Sequence, residues 1–294
     1  MNVGFVAQLL VSGLALGSIY ALVALGFTLI FATTRVVNFA QGEFVMLGAL
    51  VGYSAHVSAG LPLGPAVLVA GLVTVLAGLI AERVAVYPLR ALQSSIAWVI
   101  STLGLGMMLK SGAAEVWGKV PVAFPAPFGL GRVELFGTAF VPQEAVTVVV
   151  AIALMLALEA LYRATIFGKA MRAVAYDRDT AKLMGINVST MSLISFGISA
   201  ALAAIAGLLV SPITNASPEM GTVLGIKGFA AAAVGGLGTF QGAFLGGILL
   251  GVMEVLASGL LWPGFYDVAA FGLLILVLLA RPTGLVGARV VVRA

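Results

Sequence analysis

The sequence predicts an all-α, polytopic integral membrane protein, and three observations support this fold class. Hydrophobic residues make up 62% of the chain and the mean hydropathy is +1.18, far above the range of soluble domains. The apolar positions run consecutively instead of alternating, which argues against a transmembrane barrel. Charged residues are only 9% of the chain and cluster between the apolar runs. At about 20 residues per crossing, the chain accommodates about eight transmembrane helices in one domain, 1–294.

The apolar runs follow one another along the whole chain. The first, 5–32, contains Gly13 and Gly17, whose spacing predicts a flat face for close helix packing. Further spans are predicted at 44–58, 65–81, 95–108, 145–162, 191–210, 239–257 and 268–280. The Ala/Gly-rich segment 225–238 is too short to cross comfortably, so a broken or re-entrant segment is predicted there. The polar connection 110–142 is predicted to be an irregular loop with a short hairpin around 129–131.

The distribution of Lys and Arg predicts the orientation in the membrane. When the charged segment 163–188 is placed inside, eleven basic residues face the cytoplasm and four face outward. The outward four are Lys110, Lys119, Arg132 and Lys227. The N-terminus is then outside and the C-terminus in the cytoplasm.

Several classes of function are excluded by composition and motifs. The chain has no cysteine and a single histidine, His56, so neither a disulfide framework nor a two-histidine metal site is available, and no metal or cofactor is expected. No phosphate-binding P-loop and no serine-hydrolase motif occurs. The net charge of +4 is spread over the loops between spans, which does not indicate nucleic-acid binding. The chain is therefore not expected to be an enzyme, and its role is passage across the membrane.

One charged segment, 163–188, interrupts the apolar pattern most strongly. Seven charged residues lie within 20 positions, and each would be costly in hydrocarbon, so the segment must lie in water between two spans. Residues 180–184 form good helical sequence that Gly185 and Asn187 would end. A short helix held on the aqueous side of a membrane protein is a surface for a partner, although a solvated loop that only fixes topology explains the charges as well.

A second group of polar residues lies close to hydrocarbon at Asn38, Gln41 and Glu43. One interpretation is a helix break that faces a translocation path. The other is a cytoplasmic turn in which Asn38 caps the next helix and Glu43 stabilises its first turn. Residues 41–44 are echoed at 241–244, which suggests a parallel internal repeat and adds Gln241 and Gly242 to the candidate path residues.

Three ionisable residues are predicted within or near the later spans. Glu254 lies deep in a span and Asp267 near an outer edge, and both are expected to form structural pairs with a basic group or a backbone amide. Lys227 could meet a substrate carboxylate from outside, but a lone interfacial lysine usually extends toward water.

Several collinear stretches resemble the membrane permeases of bacterial branched-chain amino acid ABC transporters. They are NFAQGEFVMLGAL at 38–50 and GKAMRAVAYDRDTAKLMGIN at 168–187, with further matches at 17–31, 82–90, 228–254 and 281–285. The order is similar to that of the first of the family's two paired permeases. The outer loop 110–142 carries no matching motif.

The resemblance implies that the chain is the membrane-spanning subunit of an importer for branched-chain amino acids, and that it is a multi-pass protein of a bacterial inner membrane. It implies a second, similar permease, two cytoplasmic ATPase subunits that hydrolyse ATP, and a periplasmic substrate-binding protein. It also implies that the loop at about 163–190 docks on the ATPase. The residues that fall in this loop are Gly168, Arg172, Ala173, Asp177, Ala181 and Gly185.

Two alternatives stay open at this point. The same machine could carry urea or short amides instead of amino acids. An ion-coupled secondary transporter would need a relay of ionisable residues inside the spans, and few such residues are present.

Overall fold

The computed structural model describes residues 3–92, 95–129, 131, 133–135 and 138–287. In these residues the chain forms eleven α-helices and one small hairpin. The helices are α1 (Val3–Thr34), α2 (Gln41–Tyr53), α3 (Leu63–Ala81), α4 (Ser95–Trp117), α5 (Pro142–Ala164), α6 (Ile166–Tyr176), α7 (Arg178–Leu183), α8 (Val188–Thr214), α9 (Met220–Gly235), α10 (Phe240–Leu260) and α11 (Tyr266–Ala280). Strands β1 (Val133–Leu135) and β2 (Thr138–Phe140) pair antiparallel, a few residues after the position predicted for a hairpin.

Seven helices in the described part of the chain are long and apolar enough to cross a membrane: α1, α3, α4, α5, α8, α10 and α11. The prediction of an all-α polytopic fold is confirmed. The span predicted at 44–58 corresponds to α2 and a π-helical turn, Ser54–Ser58, and is not among these seven. The segment predicted to be broken, 225–238, corresponds to the shorter apolar helix α9.

The two short helices α2 and α9 both begin inside the bundle. The side chain of Gln41, at the start of α2, bonds to Ser199, the twelfth of the 27 residues of α8. A Cβ atom built on Gly42 would lie 2.1 Å from the carbonyl oxygen of Gly221, the second residue of α9. The N-termini of α2 and α9 therefore meet near the mid-height of the long helices, and each helix covers about half of the bundle.

An inverted repeat explains this arrangement. The contact of α1 with α10 corresponds to the contact of α8 with α3. In the same way, the contact of α2 with α8 corresponds to the contact of α9 with α1. The units α1–α4 and α8–α11 thus correspond helix by helix but run through the bundle in opposite directions, as in inverted-topology transporters. The predicted parallel repeat between 41–44 and 241–244 is wrong, because Gln41 opens a half-length helix in the interior whereas Gln241 opens a full-length helix at one end of the bundle.

Glycines bring α1 and α10 into close contact. A Cβ on Gly17 would lie 2.8 Å from the Cα of Ile248, and a Cβ on Gly251 would lie 2.3 Å from the Cα of Gly17. Because the contacting atoms belong to the backbone, larger residues cannot be accommodated by side-chain rotation. The helix-packing interpretation of Gly13 and Gly17 is confirmed.

The bundle has two end faces. We call the end that carries α6 and α7 the loop face, and the opposite end, with the β1–β2 hairpin, the far face. The described basic residues on the loop face are Arg35, Arg83, Arg163, Lys169, Arg172, Arg178, Lys182 and Arg281. Lys119 lies on the far face, Lys110 is near it and Lys227 is buried, so the basic residues separate as the charge distribution predicts.

Candidate functional site

The segment between α5 and α8 folds into two short helices on the loop face. The hydroxyl of Thr165 accepts a hydrogen bond from the Gly168 N–H and caps α6, and Asn187 caps α8 in the same way. Asp177 caps α7: its carboxylate accepts hydrogen bonds from the backbone of Thr180 and Asp179, which hold its pKa below the usual value. The helix predicted at 180–184 is α7, and Gly185 ends it with a φ of +82°.

The six residues predicted to dock a partner mostly build this segment. A Cβ on Gly168 would lie 2.3 Å from the Tyr162 carbonyl oxygen, and Ala181 is buried. Arg172 donates to the Tyr162 carbonyl at 2.7 Å and lies over its ring, so it caps the C-terminus of α5 instead of pointing outward. Ala173 is half-buried, whereas Asp177 and Gly185 are exposed.

Five large apolar side chains of this segment are exposed, and the sequence reasoning missed them. Ile166 and Phe167, at the start of α6, are 83% and 58% exposed. The other three lie at the α6–α7 corner and the end of α7. Tyr176, Leu183 and Met184 are 94%, 88% and 78% exposed. We call them the apolar patch. The sequence does contain a signal for this patch, because large apolar residues within a charged segment that must lie in water indicate a contact surface.

Two arginines join the segment to the end of α1. The Arg35 guanidinium donates to the carbonyl oxygen of Ala175 in α6. In the opposite direction, Arg178 at the start of α7 donates to the carbonyl oxygen of Thr34 at 3.0 Å. Arg35 has a φ of +60°, an uncommon conformation for a non-glycine residue, at the point where the chain turns back into the bundle. Thr34 and Arg35, at the end of α1, are therefore bonded directly to α6 and α7.

That returning segment leads to the polar residues at the start of α2. Asn38 is buried and its side-chain oxygen accepts from the Ala40 N–H at 3.1 Å. Gln41 is buried and exchanges hydrogen bonds with Ser199, whose hydroxyl donates to it at 2.8 Å. The turn is a break inside the bundle and not a cytoplasmic turn. Asn38 orders it but does not cap α2, because the N-cap residue is Ala40 and no side chain makes a capping hydrogen bond there.

Glu43 lies where the two half-helices meet. It is 6% exposed, and its Oε1 accepts from the Thr222 hydroxyl at 3.0 Å. Its Oε2 has no hydrogen-bond partner among the described residues, and a Cβ on Gly221 would lie 2.4 Å from it. The carboxylate thus lies in the first turn of α2 and against the first turn of α9, where both helix dipoles favour negative charge.

Glu43 lines a cavity of about 340 Å³ between α1, α2, α4 and α9. The cavity is at the mid-height of α4, because Gly106, which also lines it, is the twelfth of that helix's 23 residues. Lys110 also lines it, and its Nζ lies 2.5 Å from Glu219 Oε2 and 3.5 Å from the Thr222 hydroxyl. The remaining lining is almost entirely apolar: Phe27, Phe39, Leu103, Met107, Ile226 and Phe229, with Gly221 and Gly225.

Gln241 and Gly242 are not near this cavity. Gln241 is exposed at the loop face, where it lines a second cavity of about 640 Å³ with Tyr162, Arg163 and Arg172. Gly242 is buried against Gly235, at the contact between α9 and α10. The structure therefore divides the five candidate path residues into an interior group of three and a loop-face pair.

A second charged cluster ties α9 to α10 and α11. Lys227 is 3% exposed and forms a salt bridge with Glu254, which is fully buried, and a second one with Asp267 at 3.0 Å. Its Nζ also lies 3.8 Å from the centroid of the Tyr266 ring. The expectation of structural pairing for Glu254 and Asp267 is confirmed. Lys227 points into the bundle, so the expectation that it extends toward water is wrong.

No group of three or more potential metal ligands is present in the described ranges. Neither cluster resembles the residues of an active site, since neither contains a nucleophile paired with a base. The arrangement offers instead an exposed apolar surface, hydrogen bonds from that segment to the end of α1, and a carboxylate on the wall of an apolar cavity.

Comparison with known proteins agrees with this picture. Residues 9–279 match the family described as "Branched-chain amino acid transport system / permease component". The chain is 37% identical, over 95% of both chains, to the high-affinity branched-chain amino acid transport system permease protein LivH of Escherichia coli (strain K12). It is 36% identical, again over 95% of both chains, to the high-affinity permease protein BraD of Pseudomonas aeruginosa. A probable branched-chain amino acid transport permease of Methanocaldococcus jannaschii is 32% identical over 87% of this chain and 80% of its own.

Proposed function

The chain belongs to the branched-chain amino acid transport permease family, and from this premise we propose that it is the translocation subunit of an ABC importer for branched-chain amino acids. In this function it hydrolyses no ATP itself. Two cytoplasmic ATPase subunits, a second permease and a periplasmic binding protein complete the machine. The observation that carries the proposal is the apolar patch on α6 and α7, together with its arginine links to α1.

The ATPase docks on the apolar patch. Tyr176, Leu183 and Met184 lie at the α6–α7 corner and the end of α7, on a segment whose charges keep it out of hydrocarbon. Large apolar side chains exposed to water, surrounded by charged residues, are typical of protein interaction sites. Asp179 and Lys182, which pair with each other at 3.2 Å, form part of the polar rim.

Movement then passes from the patch to the interior. The contacts of Arg35 with Ala175 and of Arg178 with Thr34 couple the two short helices to the end of α1. Only six residues, 35–40, separate that end from the start of α2. A shift of the docking segment therefore acts on the N-terminus of α2, and with it on Glu43, without bending α1.

The second permease packs on the exposed face of α4 and α9. Met107 on α4 and Val223 and Ile226 on α9 are exposed beside the cavity of Glu43. Gly104 and Gly112 lie two turns apart on α4 with no atom within 4 Å of a built Cβ, so a second backbone can approach closely. The passage would then run between the two permeases.

The orientation follows from the same assignment. The loop face, which carries most of the described basic residues, lies in the cytoplasm. The far face, with the β1–β2 hairpin, receives the binding protein. The N-terminus then starts outside, and α11 returns the chain to the cytoplasmic side.

The test is co-purification of an ATPase with variants of the patch. The chain is expressed with its genomic neighbours, extracted in mild detergent and captured by an affinity tag. Leu183→Asp and Met184→Asp should each remove the ATPase from the complex, because a charge is placed in the centre of an apolar contact. Leu285→Asp, at an exposed apolar residue of the loop face outside the patch and beyond the last span, is the matched control and should retain it.

The variant Arg172→Glu separates the patch from the charges of the segment. Arg172 bonds inward to the end of α5, so its replacement should lower thermal stability more than ATPase capture per folded molecule. Capture that is unchanged in both patch variants would contradict the assigned docking surface. A complex in which no ATPase is found with the native chain would contradict the importer itself.

A further inference from the structure

We propose that Glu43 is the point in the passage that takes the α-ammonium group of the transported amino acid. The inference rests on the proposed function and adds a site and a chemical selectivity to it. The observation behind it is an almost fully buried carboxylate with one oxygen unpartnered among the described residues, on the wall of an otherwise apolar cavity.

The first argument is the charge of the cavity. A buried carboxylate needs compensation, and the two helix N-termini that meet at Glu43 each supply roughly half a positive charge. The Thr222 hydroxyl satisfies Oε1. Oε2 lies on the α9 side against Gly221, with no hydrogen-bond partner among the described residues and almost no accessible surface. A cationic donor such as an ammonium group is the natural complement of this oxygen.

The second argument is the shape and composition of the cavity. At about 340 Å³ it falls at the lower end of the ~300–1,000 Å³ range of small-molecule sites. Its apolar lining, Phe27, Phe39, Leu103, Met107, Ile226 and Phe229, suits a branched aliphatic side chain. Lys110 and Glu43 both contact the Thr222 hydroxyl, so a basic and an acidic group line the cavity, with Lys110 also paired with Glu219.

The third argument concerns release. An importer needs a passage site that binds weakly, since tight binding in the interior would slow transport. The two helix N-termini offset part of the charge of Glu43, so the ammonium group gains less from this carboxylate than from an uncompensated one. Glu43 is also placed to respond to the ATPase, because it is the third residue of the helix that follows the arginine-linked turn.

The experiment is photo-labelling with the diazirine analogue of leucine, which keeps the amino and carboxylate groups. The complex purified with its genomic neighbours is labelled in lipid nanodiscs, and labelled peptides of α4 and α9 are measured by mass spectrometry. We expect labelling of these peptides in the native protein and a decrease of at least about tenfold in Glu43→Gln, in line with the loss of a charge-assisted hydrogen bond. An analogue that lacks the amino group should label the native protein as weakly as photo-leucine labels the variant.

Three further variants control for structure. Glu43→Asp keeps the charge and should recover part of the labelling. Glu144→Gln changes a carboxylate that bonds to Ser12 far from the cavity, and it should have no effect. Gly106→Leu fills the cavity from a buried position on α4, where a built Cβ makes only ordinary contacts, and should block labelling even if Glu43→Gln does not fold.

Equal labelling of the native protein and Glu43→Gln would overturn the inference, and so would equally strong labelling by the amine-free analogue. The readout needs no ATPase. Labelling that depends on Glu43 in a complex that captures no ATPase would contradict the proposed importer but would still support Glu43 as a binding site. ATP-driven uptake with labelling that is independent of Glu43 would contradict the site alone.

Discussion

Replacing Lys227 should destabilise the protein strongly, because it leaves a charge unpaired inside the bundle. Lys227 is almost fully buried and contacts Glu254, which has no exposed surface, as well as Asp267 and the ring of Tyr266. The variant Lys227→Met keeps the length and apolar volume of the side chain but removes the ammonium group. Asp267 can turn to water, since its side chain is 68% exposed, whereas Glu254 cannot.

The magnitude follows from the burial of Glu254. Breaking a buried ion pair by removing one partner typically costs about 3–5 kcal/mol. At about 2.1 cal/mol/K per residue, the unfolding entropy of a 294-residue chain is near 0.6 kcal/mol/K, so Tm should fall by about 5–8 °C. Adding Glu254→Gln to Lys227→Met removes both charges and should restore most of this loss.

The assay is thermal unfolding of the detergent-purified protein, followed by intrinsic fluorescence. Asp267→Asn serves as the control at the exposed side of the cluster, where the expected loss is below about 1 kcal/mol. The reasoning would be refuted if Lys227→Met unfolded at the native temperature. It would also be refuted if the double variant were as unstable as the single one, since the loss would then not come from an unpaired Glu254.

Three further predictions concern packing, capping and coupling. Gly17→Ala should lower stability by about 1–3 kcal/mol in the same assay because its Cβ meets the backbone of α10, whereas Gly71→Ala, with no atom within 4 Å of its Cβ, should not. The pKa of Asp177 is lowered in the folded protein, so its capping of α7 is complete above the pKa of the unfolded chain, about 3.9, and is lost as the pH falls through the folded-state pKa. Hydrogen exchange should therefore show protection of α7 that decreases at acidic pH. In Asp177→Ala the protection should be low at every pH. Arg35→Ala removes the bond to Ala175 and should leave ATPase capture and hydrolysis intact while transport per ATP falls severalfold; a parallel loss of hydrolysis and transport would contradict a coupling role.

Features that depend on local chemistry could be predicted from the sequence. The long apolar runs fixed most of the helices within a few residues, although α4 extends to Trp117, nine residues beyond the predicted end of its span. The short helix that Gly185 ends was predicted because glycine readily adopts the left-handed conformation required there. The separation of basic residues between the two faces was predicted because the excess of Lys and Arg in cytoplasmic loops can be counted loop by loop from the sequence.

Features that depend on contacts distant in the chain could not be predicted. Glu43 meets Thr222 across 179 positions, and only the folded bundle shows that two helices begin at the same height. The similarity of 41–44 to 241–244 pointed to a parallel repeat, because a four-residue match carries no information on direction. The inward orientation of Arg172 depends on the angle between α5 and α6, which charge alone does not determine.

The pairing of Lys227 with Glu254 was within reach of sequence reasoning. They are oppositely charged residues on consecutive helices, and burial of either alone would be costly. Two lone ionisable residues of opposite sign in adjacent apolar segments are thus a signal for an intramembrane pair.

The most direct test of the importer is uptake of radiolabelled leucine by proteoliposomes. The chain is reconstituted with its paired permease, with and without the ATPase subunits, and the binding protein is supplied with leucine outside. We predict uptake only when the ATPase and ATP are both present, and its loss in Leu183→Asp while the permeases remain folded. Uptake by the permeases alone, driven by an ion gradient and unaffected by ATP, would contradict the account and identify a secondary transporter.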